Sequence, residues 1–167
     1  MVVWDTGSGA FLLRSSDCSG CSGSSFAIDD STSFSWKSPT EYDRVTYMDG
    51  TSLYGQIGLD SICSTSDTNS CANDFQFVAI STATGLRDYE DGIIGLWSGN
   101  KTGYSTDEMI MPKMYAGSTI TENVFSFYLT NLSGSSYIDF GTPNTAVMSD
   151  VNDIIYMDIL AEDYWWT

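Results

Sequence analysis

Residues 44–60 are the part of the sequence that most constrains the fold. From residue 53 to residue 60, apolar or glycine residues at odd positions alternate with mostly more polar residues at even positions. A period of two is typical of a β-strand with one buried face. Residues 44–47 form another β-prone run, and the Asp49-Gly50 pair between the two runs predicts a hairpin turn. This segment therefore predicts a two-stranded β-hairpin.

The rest of the chain also favours strands joined by turns. Further strands are predicted at residues 2–4, 10–13, 75–80, 124–129, 137–140 and 154–160. One short helix is predicted over residues 112–116, because Pro112 suits the first helical position and Gly117 follows the last. Residues 14–25 are rich in Ser and Gly and predict a loop. With 167 residues and no repeat or linker, the chain is interpreted as one all-β domain with a sizeable core.

The composition excludes several classes of function. The chain has no histidine, so Ser-His-Asp and Cys-His nucleophile systems, HExxH zinc sites and His-ligated haem are excluded. Its net charge of −16 would repel nucleic acid and anionic membranes, so neither is expected as a partner. No apolar run is long enough to span a membrane. Hydrolytic chemistry in this chain must therefore depend on carboxylates.

The four cysteines occur as two close pairs, Cys18/Cys21 and Cys63/Cys71, within polar stretches. This pattern predicts two small-loop disulfides and an oxidising compartment. The alternative is a four-thiolate zinc site, which would need two CxxC pairs. The second pair has seven residues between its cysteines, so disulfides without a metal are favoured.

The most informative short segment is the apolar run that ends in Asp5-Thr6-Gly7-Ser8. A carboxylate at the end of a buried strand is presented outward, and the Gly7 N–H can donate a hydrogen bond to it. An Asp-Thr-Gly tripeptide alone is also common turn chemistry. The apolar residues before it make the segment a more specific candidate for a catalytic carboxylate.

Several segments, in order along nearly the whole chain, resemble the N-terminal lobe of the pepsin-like aspartic proteases. These are Asp5-Thr6-Gly7-Ser8 (the first active-site loop), Tyr47-Met48-Asp49-Gly50-Thr51 (the flap hairpin), Asp91-Gly92-Ile93-Ile94-Gly95-Leu96 (the segment that threads behind the catalytic loop), Val124-Phe125-Ser126-Phe127-Tyr128-Leu129, Tyr137-Ile138-Asp139-Phe140-Gly141 and Glu162-Asp163-Tyr164-Trp165. Cys18 and Cys21 also fall where many members carry a small disulfide loop. The resemblance implies an all-β lobe of a bilobal endopeptidase.

The resemblance also implies a mechanism and a role for each matching residue. Two aspartates, one from each lobe, share a proton and activate a water molecule that attacks the peptide carbonyl, with no cofactor. By this resemblance, Asp5 is the catalytic carboxylate, and its supporting loop consists of Thr6, Gly7 and Ser8. The implied substrate-binding flap includes Tyr47, Gly50 and Thr51. A pocket that favours apolar side chains would be lined by Val3, Ile93 and Tyr47.

Three positions depart from the family pattern. Leu12 stands where a Trp usually holds the flap tyrosine, Ala10 replaces an Asn, and Met48 replaces the Gly that follows the flap tyrosine. The missing indole predicts a more mobile flap, unless Met48 pins the flap by packing.

Residues 1–167 are expected to be a single N-terminal lobe, incomplete at both ends. The resemblance begins after the first strands of the family, and no second apolar-Asp-Thr/Ser-Gly segment occurs. Its expected partners are a peptide or protein substrate and a C-terminal lobe with the second aspartate. One alternative is a non-catalytic peptide-binding or protein-binding domain. Another is a homodimeric retroviral-type protease, although those chains are shorter and usually have Ala where this one has Ser8. The weakest is an unrelated secreted β-domain.

The expected location is secreted, vacuolar or lysosomal, although no signal peptide is visible in this chain. Asn100 and Asn131 begin N-glycosylation sequons, which would be usable on such a route.

Overall fold

The computed structural model describes residues 1–23, 25–63, 71–97 and 105–158. Within them lie nine strands, one short α-helix and three 3₁₀ turns. The strands are β1 (Val2–Asp5), β2 (Phe11–Ser19), β3 (Ser35–Trp36), β4 (Tyr42–Thr46), β5 (Ser52–Cys63), β6 (Cys71–Thr84), β7 (Gly92–Gly95), β8 (Phe125–Tyr128) and β9 (Tyr137–Phe140). The helix α1 spans Ile110–Ala116, and the 3₁₀ turns span Ile28–Asp30, Thr145–Val147 and Val151–Asp153. The all-β class is confirmed.

Seven strands form one mixed sheet in the order β1-β7-β2-β6-β5-β3, with β4 also paired to β5. The order places β7, which is distant in sequence, between β1 and β2. It runs parallel to β1 and antiparallel to β2. The strands β8 and β9 form a separate antiparallel pair, and the Trp4 ring on β1 packs against Phe140 on β9 with ring centroids 5.5 Å apart.

The central strands of the large sheet are buried on both faces. Six consecutive residues of β6, 75–80, are buried, and successive side chains on a strand point to opposite faces. One face contributes to a cluster that includes Phe11, Phe75, Phe77, Ala79, Ile94 and, from α1, Ile110, Met111 and Met114. The other face contributes Ala10, Leu12, Leu53, Val78, Ile80 and Ile93. The sheet is therefore the middle layer of the domain.

The predicted hairpin is confirmed, with β4 and β5 paired from Tyr42↔Gln56 to Thr46↔Ser52. The prediction of one buried face along β5 holds only at its start. Positions 53 and 55 are buried, but further along Gly58 and Asp60 are buried instead. Leu53 belongs to one core cluster, whereas Gly58 lies against Phe34 and Phe77 of the other. Because odd and even positions of a strand point to opposite faces, β5 contributes first to one core and then to the other.

Three other predictions from the sequence need correction. The predicted loop at residues 14–25 begins as strand, because β2 continues through Arg14, which pairs with Ile80 of β6. No strand forms at 154–158, the described part of the predicted strand at 154–160, and no pairing partner for it occurs among the described residues. The helix α1 begins two residues earlier than predicted, so Pro112 is its third residue and Gly117 its C-cap. Pro is compatible with the first turn, whose N–H groups have no partner within the helix.

Both predicted disulfides are present. Cys18 is bonded to Cys21, and Cys63 is bonded to Cys71. The second bond joins residues that face each other at the end of the β5–β6 pair. Within the described ranges, no helix is long and apolar enough to cross a membrane.

Leu12 tests the packing of the sheet face that also carries Val78 and Ile80. Its side chain is fully buried at 0% exposure. Because Leu12→Ala would remove buried methyl groups and leave a cavity, we expect a loss of about 2–5 kcal/mol in the free energy of unfolding, measured by urea denaturation. Leu132→Ala removes the same atoms from a side chain that is 65% exposed and should cost less than ~0.5 kcal/mol. Equal losses in the two variants would contradict this account of the core.

Candidate active site

The Asp5 carboxylate lies at the end of β1 and is held by the loop that follows it. The backbone N–H of Gly7 donates to Oδ1 at 2.9 Å, and the Ser8 hydroxyl donates to Oδ2 at 2.6 Å. Ser8 is buried whereas Asp5 is half-buried. Both carboxylate oxygens are thus oriented by short-range donors while the group keeps access to solvent.

The β7 strand fixes this loop from behind. Immediately after β7, the Leu96 N–H donates to the Asp5 carbonyl at 2.7 Å and the Trp97 N–H donates to the Ser8 carbonyl at 3.1 Å. At Gly95 the backbones approach so closely that a Cβ atom would lie 2.5 Å from the Ser8 carbonyl oxygen. Only glycine fits there without moving the loop.

The turn between β4 and β5 covers the same side of the sheet. It is closed by the Tyr47 N–H donating to the Thr51 carbonyl at 2.8 Å and the Gly50 N–H donating to the Tyr47 carbonyl at 3.1 Å. Gly50 has φ of 90°, which favours glycine. The Asp49 carboxylate accepts a hydrogen bond from the Thr51 N–H at 2.8 Å. Hydrogen bonds from this N–H and from the Thr51 hydroxyl hold the pKa of Asp49 below its usual range.

A pocket of about 270 Å³ lies between Asp5 and this turn. Five of the residues proposed from the sequence line it: Val3, Asp5, Tyr47, Thr51 and Ile93. Ile93 is also part of the buried core, and Val3 and Tyr47 pack against it. The apolar residues therefore serve both as core and as pocket lining.

The whole chain matches one protein family. The family model of eukaryotic aspartyl proteases matches residues 1–167. The chain belongs to this family. No curated protein matches it at a significant level. This membership agrees with the order of the sequence motifs described above. It also agrees with the position of the Asp5 carboxylate, which lines a pocket together with the turn between β4 and β5.

Most of the remaining predicted positions of this aspartyl protease chain lie outside the pocket, but Met48 lines it. Thr6 is exposed beside Asp5, and Gly50 lies in the turn without lining the cavity. The Met48 side chain is fully exposed, so it does not pin the turn between β4 and β5, the predicted flap, by packing. Asn131 is exposed in the β8–β9 connection. Asn100 and the Glu162–Trp165 motif lie outside the described residues.

Sequence reasoning missed part of the aspartyl protease pocket. Leu86, Arg87 and Glu90 line it, although they belong to a connection that follows β6 and showed no motif. Only the pairing of β6 with its neighbours brings this connection beside Asp5. Across the described ranges, no group of three or more Cys, Asp or Glu side chains is placed to hold a metal ion.

The hydrogen bond from Ser8 to Asp5 can be tested by stability. Ser8→Ala removes a donor to a carboxylate, so we expect the free energy of unfolding to fall by about 1–2 kcal/mol near neutral pH. Ser135→Ala, at an exposed position, should change it by less than ~0.5 kcal/mol. Urea denaturation of both variants makes the comparison. A Ser8→Ala protein as stable as the parent would mean that the bond contributes nothing.

The lowered pKa of Asp49 makes a second prediction. Because the folded pKa lies below the unfolded one, ionised Asp49 stabilises the fold above the unfolded value, and this contribution is lost as pH falls through the folded value. We expect its carboxyl to titrate below 3.8, its ordinary value, in a carbon-detected NMR titration. Thr51→Val should raise the midpoint by removing the hydroxyl donor, whereas Thr46→Val on the same hairpin should not. A midpoint at or above 3.8 in the parent chain would refute the assignment.

Proposed function

We propose that the chain is the N-terminal lobe of an aspartic endopeptidase and supplies one catalytic aspartate and the flap. The observation that carries the proposal is the position of Asp5. Its carboxylate is oriented by Gly7 and Ser8 and opens into a pocket that is lined on its other side by the flap residues Tyr47 and Thr51. Membership of the aspartyl protease family supports the same chemistry.

The proposed mechanism needs a second carboxylate next to Asp5. Two carboxylates at close range cannot both ionise cheaply, so one holds a proton and the other is charged. The charged member accepts a proton from a bound water, which then attacks the peptide carbonyl. The protonated member stabilises the oxyanion, and the leaving nitrogen is then protonated. The Gly7 N–H and the Ser8 hydroxyl hold the Asp5 carboxylate in a fixed orientation for this role.

A second lobe is the proposed source of that carboxylate. Thr6 and Gly7 are exposed next to Asp5, so a partner lobe can approach the carboxylate from this side. Thr6 is proposed to bind the matching loop of that lobe through its hydroxyl. The flap would close over a substrate peptide and hydrogen-bond its backbone through Gly50 and Thr51.

The proposed location is a secreted, vacuolar or lysosomal compartment. The disulfides Cys18–Cys21 and Cys63–Cys71 support an oxidising route to it. Asn131 is exposed, which an N-glycosylation site on that route requires.

The role of Asp5 is tested by Asp5→Asn in the full-length protein that carries this chain. Asn keeps the shape of the side chain but cannot be an ionised base. We expect kcat for peptide cleavage at acid pH to fall by at least ~10²–10⁴-fold, while circular dichroism shows that the variant remains folded. Asp30→Asn, at an exposed position in a 3₁₀ turn, should leave cleavage unchanged. Full activity of the Asp5→Asn protein would reject the proposal.

The two alternatives give different results in the same assay. A homodimeric protease requires the 167-residue chain alone to be dimeric by size-exclusion chromatography and active at acid pH. A monomeric, inactive chain eliminates it. A non-catalytic domain would bind peptides in the full-length protein without cleaving them and would not bind a pepstatin-type inhibitor.

A further inference from the structure

Arg14 is a buried cation that the proposed mechanism does not use. Its side chain is 2% exposed, whereas arginine is almost never fully buried in proteins unless it is paired. Within the described part of the chain, no carboxylate forms an ion pair with it. Its Nε and Nη1 atoms are buried and have no hydrogen-bond partner among the described residues. Burial of an unpaired charge costs stability, so its presence in the fold requires an explanation.

The Arg14 guanidinium is hydrogen-bonded to the connection between β6 and β7. Its Nη2 atom donates to the Arg87 carbonyl at 3.1 Å. The same carbonyl accepts the Glu90 N–H at 3.0 Å, and the Glu90 carboxylate accepts the Arg87 N–H at 2.9 Å. Residues 87–90 therefore form a closed turn. We call it the wall turn, because Arg87 and Glu90 line the pocket beside Asp5.

The backbone of Arg14 holds the other end of the same connection. Its N–H donates to the carbonyl of Asp91, the residue after the wall turn, at 2.7 Å. Arg14 is itself fixed in β2, where it pairs with Ile80 of β6. One residue of the central sheet thus contacts the wall turn at its start through the side chain and just beyond its end through the backbone.

The backbone at Gly23 covers the guanidinium and the wall turn together. Gly23 has φ of 97°, a conformation that favours glycine. A Cβ atom at this position would overlap the Asp88 carbonyl oxygen and would lie 2.7 Å from Arg14 Nη1. The Ser22 hydroxyl also donates to the Asp88 carboxylate. The guanidinium is therefore enclosed between the wall turn and the segment that contains Gly23.

We infer that Arg14 is a positioning residue, which holds the wall turn so that Arg87 and Glu90 line the pocket. The inference rests on the proposed function and adds a residue that acts on substrate binding from outside the pocket lining. Asp5 is oriented by separate hydrogen bonds from the loop that follows it. Loss of the guanidinium should therefore weaken substrate binding and leave the chemical step intact.

Arg14→Met in the full-length protein that carries this chain tests the inference by kinetics. Methionine removes the charge and the donors and keeps an unbranched side chain. We expect KM for a peptide substrate to rise about three- to tenfold and kcat to change less than ~twofold, because only binding contacts are disturbed. Lys113→Met makes the same change of charge on α1, outside the pocket lining, and should leave both constants unchanged.

Hydrogen–deuterium exchange of the same protein, measured by mass spectrometry, needs no cleavage. In Arg14→Met we expect the amides of residues 86–91 to exchange at least ~threefold faster, while those of β5 and β6 keep their rates. The midpoint of urea denaturation should stay equal or rise, because an apolar side chain replaces an unpaired buried charge. A residue that only stabilises the fold would instead lower the midpoint and speed exchange across the sheet.

Two glycine variants test the same contact with Arg14 left in place. Gly23→Ala puts a methyl group against the Asp88 carbonyl and the guanidinium, so it should raise KM and speed exchange over residues 86–91. Gly20→Ala is the matched control. Gly20 also has a positive φ, 78°, but the nearest atom to its Cβ would be the Ala83 carbonyl oxygen at 3.8 Å. This variant should change neither quantity.

Three results would overturn the inference. The first is unchanged exchange over residues 86–91 in both Arg14→Met and Gly23→Ala, or faster exchange of equal size in β5 and β6. The second is faster local exchange with an unchanged KM, because the wall turn would then have no effect on substrate binding. The third is a fall in kcat at constant KM, which would place the effect of Arg14 on the chemical step. A parent protein that cleaves no peptide rejects the proposed function, and the exchange results alone then decide whether Arg14 holds the wall turn.

Discussion

The insertion of β7 between β1 and β2 is the constraint on which the rest of the structure depends. The strand β7 pairs with β1, which ends at Asp5, and with β2, which leads into the core. Immediately after β7, the backbone N–H groups of Leu96 and Trp97 donate hydrogen bonds to Asp5 and to the loop that follows it. The contact at Gly95 leaves no space for a side chain. Because the loop is fixed by backbone groups, the carboxylate is positioned before any substrate binds, which lowers the cost of organising a reaction site.

The two-sided burial of the sheet explains how one layer serves both stability and chemistry. The face with Phe77 is covered by α1, while Val45 and Tyr47 pack against the face with Val78 and Leu12. The pocket floor is thus an extension of the core, and Ile93 belongs to both. The apolar lining of the pocket is therefore constrained by packing, whereas Asp49 and Arg87, which line the same pocket, are exposed.

Local patterns predicted the elements whose partners are near in sequence. The β4–β5 hairpin, the two disulfides and the strand before Asp5 all follow from residues within a short window. The errors arose where distant pairing decides the outcome. Arg14 is in a strand because β6 lies beside it, despite the Ser-rich composition around it. Residues 154–158 are strand-like in sequence, but no strand lies beside them within the described part of the fold.

The sequence by itself predicted the type of chemistry and the residue proposed at its centre. Without histidine the chain must use carboxylates for hydrolysis, and Asp5 was singled out because the apolar strand and the Gly7 donor are its immediate neighbours. Only the tertiary structure decided what surrounds that carboxylate. Arg87 and Glu90 have no local signal, since their place beside Asp5 depends on strands paired across the sheet. The set of charged residues that line the pocket is therefore a property of the fold, because Arg87 and Glu90 lie more than eighty positions from Asp5 in the chain.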